Sequence, residues 1–314
     1  MFRFLATRLA SAAVAALLSS LAVFLLMRAV PGDIVGQMLG QSGNDRTAEA
    51  ALRGFFGLDR PLWAQFGDWL ANTFTGNLGR SWYQGRPVAT LVWDAFLVTA
   101  EIAVATLVIA TLIGVPLGVL AGIREGTRTD AAIQAFNLLG LSAPVFWIGL
   151  MLMVGASALL EWSPPFAYMP PTVDLAENIN IIILPVLSLS LLQAAAYSHF
   201  VRDTMVTELR REYVRAAIAK GLAPRQVYFK HALRNILIPL VTFIGLILIQ
   251  ILGGAVVIES LFSLPGLGRL ILSGIQGRDY PVVQGALLFV VLIAIVVNFA
   301  IDLLYGLIDP RLRS

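Results

Sequence analysis

Cysteine is absent from the 314 residues, which excludes disulfides, thiolate metal sites and cysteine nucleophiles. Histidine is nearly absent, with His199 and His231 alone. The acids are scattered, so the sequence forms no metal-ligand cluster and shows no nucleophile–base constellation. A G-x-x-x-x-G-K-[ST] phosphate loop is also missing. AGIREGTRT and LPGLGRL are Gly-rich but lack the Lys-Ser/Thr that contacts phosphate and magnesium. Neither enzyme chemistry nor ATP binding by that route is expected. Charge is scarce too: 13% of residues are Asp, Glu, Lys or Arg, against about 25% in a soluble domain.

What fills the chain is apolar. Hydrophobic residues make up 58%, and mean hydropathy is +0.81. A helix crossing a bilayer needs about twenty apolar residues. Six segments qualify: Leu9 to Met27, Ile102 to Ile123, Ala131 to Leu160, Ile179 to Phe200, Ile236 to Ile258 and Val282 to Ile301. The runs are continuous rather than alternating, so they predict helices and not a barrel. Pro144 predicts a kink in the third segment, and Pro185 lies in the fourth. Arg3 and Arg8 before the first run resemble a signal peptide. However, the run is long for one, and Met27-Arg28-Ala29-Val30-Pro31 is a poor cleavage site, which predicts a retained first span.

Six spans put both termini on one side, and basic residues choose it. With the termini inside, the cytoplasm receives Arg3, Arg8, Arg124, Arg128, Arg311, Arg313 and the Lys and Arg from Arg202 to Arg234. The short outer loops then hold Arg269 and Arg278 against Glu161, Asp174, Glu177 and Asp279. Cytoplasmic termini are therefore expected. The organisation follows: an N-terminus with the first span (1–30), an outer segment (31–93), a five-helix core (94–310) with a cytoplasmic loop (203–235), and a tail (311–314). The outer segment opens on a loop, QSGNDRTAEA, that leads into a polar helix. It also carries Trp63, Phe66, Trp69, Phe74, Trp82 and Tyr83, residues suited to the membrane interface. It reads as a cap lying on the outer leaflet, which could also shape the mouth of a pathway.

EYVRAAIAKGLAPRQVYFKHALRN, residues 212 to 235, is basic and punctuated amid greasy flanks. Tyr213 and Ala217, and Val214 and Ile218, are i,i+4 pairs on a short helix. Lys220 suits its last turn, and Gly221 suits a left-handed cap. Pro224 presets a second helix, with Ala223 a mediocre N-cap, and that helix continues into the fifth span. The stretch predicts a helix–turn–helix elbow. Such a loop could hold topology or bind anionic headgroups. The small residues Ala216, Ala217, Ala219 and Gly221 also suit the close approach of a partner.

The elbow resembles the cytoplasmic loop of ABC importer permeases: E-A-A, three residues, Gly, nine residues, then I-x-L-P. Arg215-Ala216-Ala217 falls on E-A-A, Gly221 on the glycine and His231-Ala232-Leu233-Arg234 on the end. The departures look like the dipeptide/oligopeptide/nickel branch, in which EYVR-A-AKGL and HALRN are usual. GLDRPLWAQFGDWL, GNLGRSW, SAPVFWIGL, ESLFSLPGLGRL, RDYPVVQGA and DLLYGLIDPRLR are similar to that branch along nearly the whole chain. The long outer segment resembles the first of its two permease subunits.

The resemblance implies an all-α integral membrane protein of the type I ABC importer permease fold. It would have six transmembrane helices, with a coupling helix between the fourth and fifth. It implies pairing with a second permease along a shared pathway, two cytoplasmic ATPases, and an external binding protein that delivers peptides. ATP and magnesium would sit on the partner subunits and no cofactor on this chain. The ATPase-docking residues would be Glu212, Tyr213, Arg215, Ala216, Ala217, Lys220, Gly221, Leu222 and Arg225. The location would be a bacterial or archaeal cytoplasmic membrane.

Glu101, one heptad after Asp94, is a candidate contact for a passing peptide's amine. Both could equally be solvated near headgroups, as could Glu259 and Asp302. His199 and His231 read as interfacial or packed rather than as ligands. The same machinery carrying nickel remains an alternative. A self-contained secondary transporter would need coupling acids near the midplane, and spans five and six hold none there.

Overall fold

The computed structural model describes residues 2–29, 46–55, 59–165 and 167–308. The opening of the outer segment, the Arg3 side chain, Arg311 and Arg313 lie outside the described residues. Among the described residues the regular structure is helical, apart from one isolated bridge between Arg80 and Pro87. In chain order the helices are α1 (Phe2–Ala29), α2 (Arg46–Phe55), α3 (Leu62–Phe74), α4 (Val88–Ile123), α5 (Arg128–Ser142), α6 (Val145–Leu160) and α7 (Leu175–Leu209). Next come α8 (Glu212–Ala219), α9 (Pro224–Gln226), a π-helical turn (Val227–Ala232) and α10 (Leu233–Gly254). The chain continues with α11 (Val256–Leu261), α12 (Leu267–Gln276) and α13 (Tyr280–Ile308).

Among the described residues five helices are long and apolar enough to cross a membrane, and α5 with α6 makes a sixth span if the bent pair counts as one. The bend is 102°. It is sharper than the kink expected at Pro144, for a local reason. Proline crowds the residue before it out of the helical region, and Ala143 and Pro144 are both extended, with ψ of 129° and 135°. The helix is interrupted and restarts with Pro144 as its N-cap.

The chain divides into two compact units, residues 1–96 with 270–299 and residues 97–269 with 300–314. In the first, the α3 face bearing Phe66 and Trp69 packs on Phe24 of α1, with ring centroids 5.4 and 6.0 Å away. Trp63, Phe74 and Tyr83 of the same aromatic-rich stretch stay exposed. The turn after α3 is tied down by Asp279, which is buried. The Ser81 hydroxyl donates to Asp279 Oδ2 at 2.5 Å, and the Trp82 amide donates to Oδ1 at 3.3 Å. Trp82 meets Tyr280 edge-on at 5.7 Å.

The second unit is built around α7, against which α5, α6 and α10 all pack. α4 also approaches it closely. Gly114, Gly118 and Gly122 recur every four residues, so they line one helical face and let two backbones meet. A Cβ at these positions would lie 2.5 Å from the Ala194 carbonyl, 2.6 Å from the Ser198 carbonyl and 2.6 Å from Met205 Cβ. The start of α5 is fixed to α7 by a bidentate ion pair, Arg202 Nε to Asp130 Oδ1 at 2.8 Å and Nη2 to Oδ2 at 2.9 Å. Asp130 also accepts from the Gly126 amide at 2.9 Å, so the buried charge is satisfied on both oxygens.

Candidate functional site

The basic stretch forms the elbow that its residues predict. After α7 the chain turns at Arg210 and the extended Arg211, and α8 begins at Glu212. Eight residues make a helix of barely two turns, too short to persist alone, so tertiary contacts must hold it. Val214 and Ala217 supply them, packing on Val227 of the π turn, with Leu209, Tyr213, Leu222 and Tyr228 around the edge.

The end of α8 is a Schellman motif. The Gly221 amide donates to the Ile218 carbonyl at 2.9 Å, and the Leu222 amide to the Ala217 carbonyl at 3.3 Å. This requires Gly221 at φ +78°, a conformation that costs other L-residues about 1–2 kcal/mol. Pro224 then opens the return helix, as expected from its fixed φ, and no side chain caps Ala223. Beyond it, the π turn widens the helix by one residue. That rotates everything after it by about 100° relative to a continuous α-helix.

Glu212, Arg215, Ala216, Lys220, Gly221 and Arg225 lie on the exposed surface of the elbow. Ala217 does not: it is buried against the π turn, so it shapes the elbow from within. Tyr213 and Leu222 are half-buried. Val214 and Ile218 do not share a face with one fate, since Val214 is buried and Ile218 is 59% exposed.

Glu208, in the last turn of α7, escaped the sequence reading. It is 5% exposed. Its Oε1 accepts from the Tyr213 hydroxyl at 2.7 Å and from Asn235 Nδ2 at 3.0 Å, while Oε2 faces Arg211 Nε at 2.9 Å. Asn235 Nδ2 also reaches the Tyr213 oxygen at 2.9 Å. Burial, reinforced by the Glu208 carboxylate, raises the Tyr213 phenol above its ordinary value and keeps it a proton donor. No local pattern marks Glu208. The available signal was the pairing of Tyr213 and Asn235 at opposite ends of the elbow.

Asp94 and Glu101 share α4 but take separate partners. Asp94 pairs with Arg86 at 2.8 Å, both about half exposed. Glu101 accepts from the Tyr168 hydroxyl at 2.6 Å. Burial and this carboxylate push the Tyr168 phenol up, so it too remains a donor. Glu259, expected to be solvated near headgroups, is instead fully buried. Its carboxylate accepts from the Thr99 hydroxyl at 2.6 Å and from the Arg269 amide at 2.9 Å, at the start of α12. The chain folds back after α11, and that reversal, invisible in local sequence, removes the acid from solvent. His199 stands 3.6 Å from Asp203 on α7, and His231 is half-buried in the π turn.

The described helices define a multi-pass membrane protein. Their arrangement is similar to a chain of the MetNI methionine ABC transporter solved in inward-facing conformations, with TM-score 0.56 and 18% identity. That match covers 70% of this chain and 96% of the other, and establishes the type I ABC importer permease fold. Residues 114–314 match the binding-protein-dependent transport system inner membrane component family, and residues 1–103 match the N-terminal family of such membrane components. The chain belongs to this family, whose members are permeases of binding-protein-dependent importers rather than enzymes. Among curated relatives, the di/tripeptide transport system permease protein DppB of Pseudomonas aeruginosa is 36% identical over 94% of each chain. The dipeptide transport system permease protein DppB of Escherichia coli K12 is likewise 36% identical over 94% of each.

Proposed function

We propose that this chain is the membrane subunit of an ATP-driven importer of di- and oligopeptides and forms half of the translocation pathway. The observation that carries the substrate class is the near full-length similarity to two permeases named for di- and tripeptides. The chain pairs with a second, similar permease. Two ATPases, which hold the ATP and magnesium, dock beneath, and an external binding protein delivers the peptide. Both termini face the cytoplasm of a bacterial or archaeal cell, in keeping with the basic residues that would gather there. The domain divisions at residues 30, 93 and 310 belong to this reading.

The elbow is the ATPase-docking element. Glu212, Arg215, Ala216, Lys220, Gly221 and Arg225 present its surface, with Tyr213, Ala217 and Leu222 setting its shape. Small side chains on an exposed helix let a groove close on the backbone, and the charges orient it. Glu101 and Asp94 are candidate contacts for the peptide on its way through. The test is a pull-down of the chain from detergent-solubilised native membranes, with mass spectrometry of what accompanies it. A second permease, one or two ATPases and a peptide-binding protein are expected. A metal-binding protein in that position would redirect the substrate to nickel. Recovery of the chain alone, still transporting in liposomes without ATP, would overturn the reading in favour of a secondary carrier.

A further inference from the structure

Three segments meet on the Glu208 carboxylate. It closes the last turn of α7, and the Tyr213 hydroxyl reaches it from α8 and the Asn235 amide from the first turn of α10. Asn235 also donates to the Tyr213 oxygen, so the three side chains form a closed triangle rather than a star. The π turn lies between the second and third of these residues. Its extra residue sets the rotation at which Asn235 enters the triangle.

Two kinds of contact hold α8 in place, and they differ mechanically. The Val214, Ala217 and Val227 cluster is apolar, and apolar attraction is non-directional, so it tolerates sliding. Hydrogen bonds weaken steeply with misalignment, so the triangle fixes the register of α8 against both helices that flank it. Around it, Val201 and Met205 of α7 pack on Ala232, Ile236 and Leu240, so both helices continue into one packed body.

We propose that Glu208 is the positioning residue that makes α8, α7 and α10 a single lever, delivering any displacement of α8 to both long helices together. Without the triangle α8 stays attached through its apolar side but slips when loaded. This rests on the importer reading, in which α8 is where force arrives.

The test uses the complete transporter, with ATPases and binding protein, in liposomes, and counts peptide imported per ATP hydrolysed. With Glu208→Ala, assembly and ATP hydrolysis persist while uptake per ATP falls by about tenfold, the equilibrium worth of one charge-assisted hydrogen bond. Glu208→Gln keeps an acceptor oxygen for Tyr213 and Asn235 and restores most of the ratio. Asn235→Leu cuts the triangle without touching the buried charge, and lowers the ratio even if Glu208→Ala fails to accumulate. The proposal is overturned by a wild-type ratio in Glu208→Ala or Asn235→Leu. It is overturned equally by uptake and hydrolysis falling in parallel, or by a Gln variant no better than Ala. If the wild-type transporter shows no ATP-dependent uptake, the importer reading fails and this lever fails with it.

Discussion

Ser81 and Asp279, 198 positions apart, share a hydrogen bond of 2.5 Å in which the serine hydroxyl donates to a buried carboxylate. The Trp82 amide completes the grip from the same loop. This joins the GNLGRSW stretch to the RDYPVVQGA stretch, two landmarks that only look like neighbours once the chain is folded. Asp279→Ala removes the acceptor of the buried Ser81 hydroxyl, at about 1–3 kcal/mol, and also the carboxylate contact of the partly buried Trp82 amide. Thermal unfolding in detergent should show a clear drop for this variant. Asp279→Asn keeps an acceptor and should lose much less.

The glycine face of α4 is a sterically constrained contact in the second unit. A Cβ on Gly118 would stand 2.6 Å from the Ser198 carbonyl and 2.7 Å from Val201 Cβ. Gly118→Val must therefore push α7 away, an overpacking cost of about 1–3 kcal/mol or more where backbone is the obstacle. The expected result is a lowered melting temperature and poor yield. Gly155→Ala, where no atom lies within 4 Å of the added carbon, should be neutral or slightly stabilising.

Gly221 poses a different constraint. Its Cβ would meet nothing within 4 Å, yet its φ is +78°. Gly221→Val therefore suffers from backbone conformation, not from a clash within the chain, and should abolish ATP-dependent uptake while the protein still inserts in the membrane. Gly221→Asn, a residue that tolerates the left-handed region, should keep a substantial share of uptake. Equal uptake in all three proteins would remove Gly221 from the docking mechanism.

The Tyr213 phenol gives the elbow a pH signature. Its folded-state pKa is raised, first by burial and then by Glu208. A raised value means the stabilisation is complete below the unfolded phenol's pKa of about 10 and is lost as pH climbs through the folded value. Uptake between pH 6 and 9 should show no step from this group. Phenolate absorbance of wild type minus Tyr213→Phe should reveal one tyrosine ionising later than an ordinary phenol, and an ordinary titration would contradict the buried hydrogen bond.

Features written over consecutive residues were legible in the sequence. The long apolar runs gave the spans, and Gly221 with Pro224 gave the elbow, because span length and turn chemistry are local properties. The docking residues were legible as a stretch but not as a surface, since Ala217 turns inward only because Val227 returns to meet it. Pro144 was visible, but the size of its break was not: proline in an apolar run can kink a helix or stop it, and only the backbone shows that Ala143 and Pro144 are both extended here. Glu208 and Glu259 depend on partners 27 and 160 positions away, and no period within a helix records such distances. The glycine repeat on α4 was written plainly at four-residue spacing. It went unread because glycine in an apolar run adds little to hydropathy.

Glu259 and Gly266 also constrain the order in which this protein can change. The carboxylate fills the space where residue 266 would carry a side chain, and a Cβ there would lie 2.2 Å from Oε1. Enlarging 266 first drives a methyl into the acid. Shortening 259 first strands the Arg269 amide and removes the acceptor for the Thr99 hydroxyl, whose oxygen also receives the Leu267 amide at 2.8 Å. The first step is blocked by the carboxylate, and the second is costly through the donors it abandons. The two positions should therefore be inherited as a pair, and an alanine at 266 should be tolerated only in a background where 259 has already been made small.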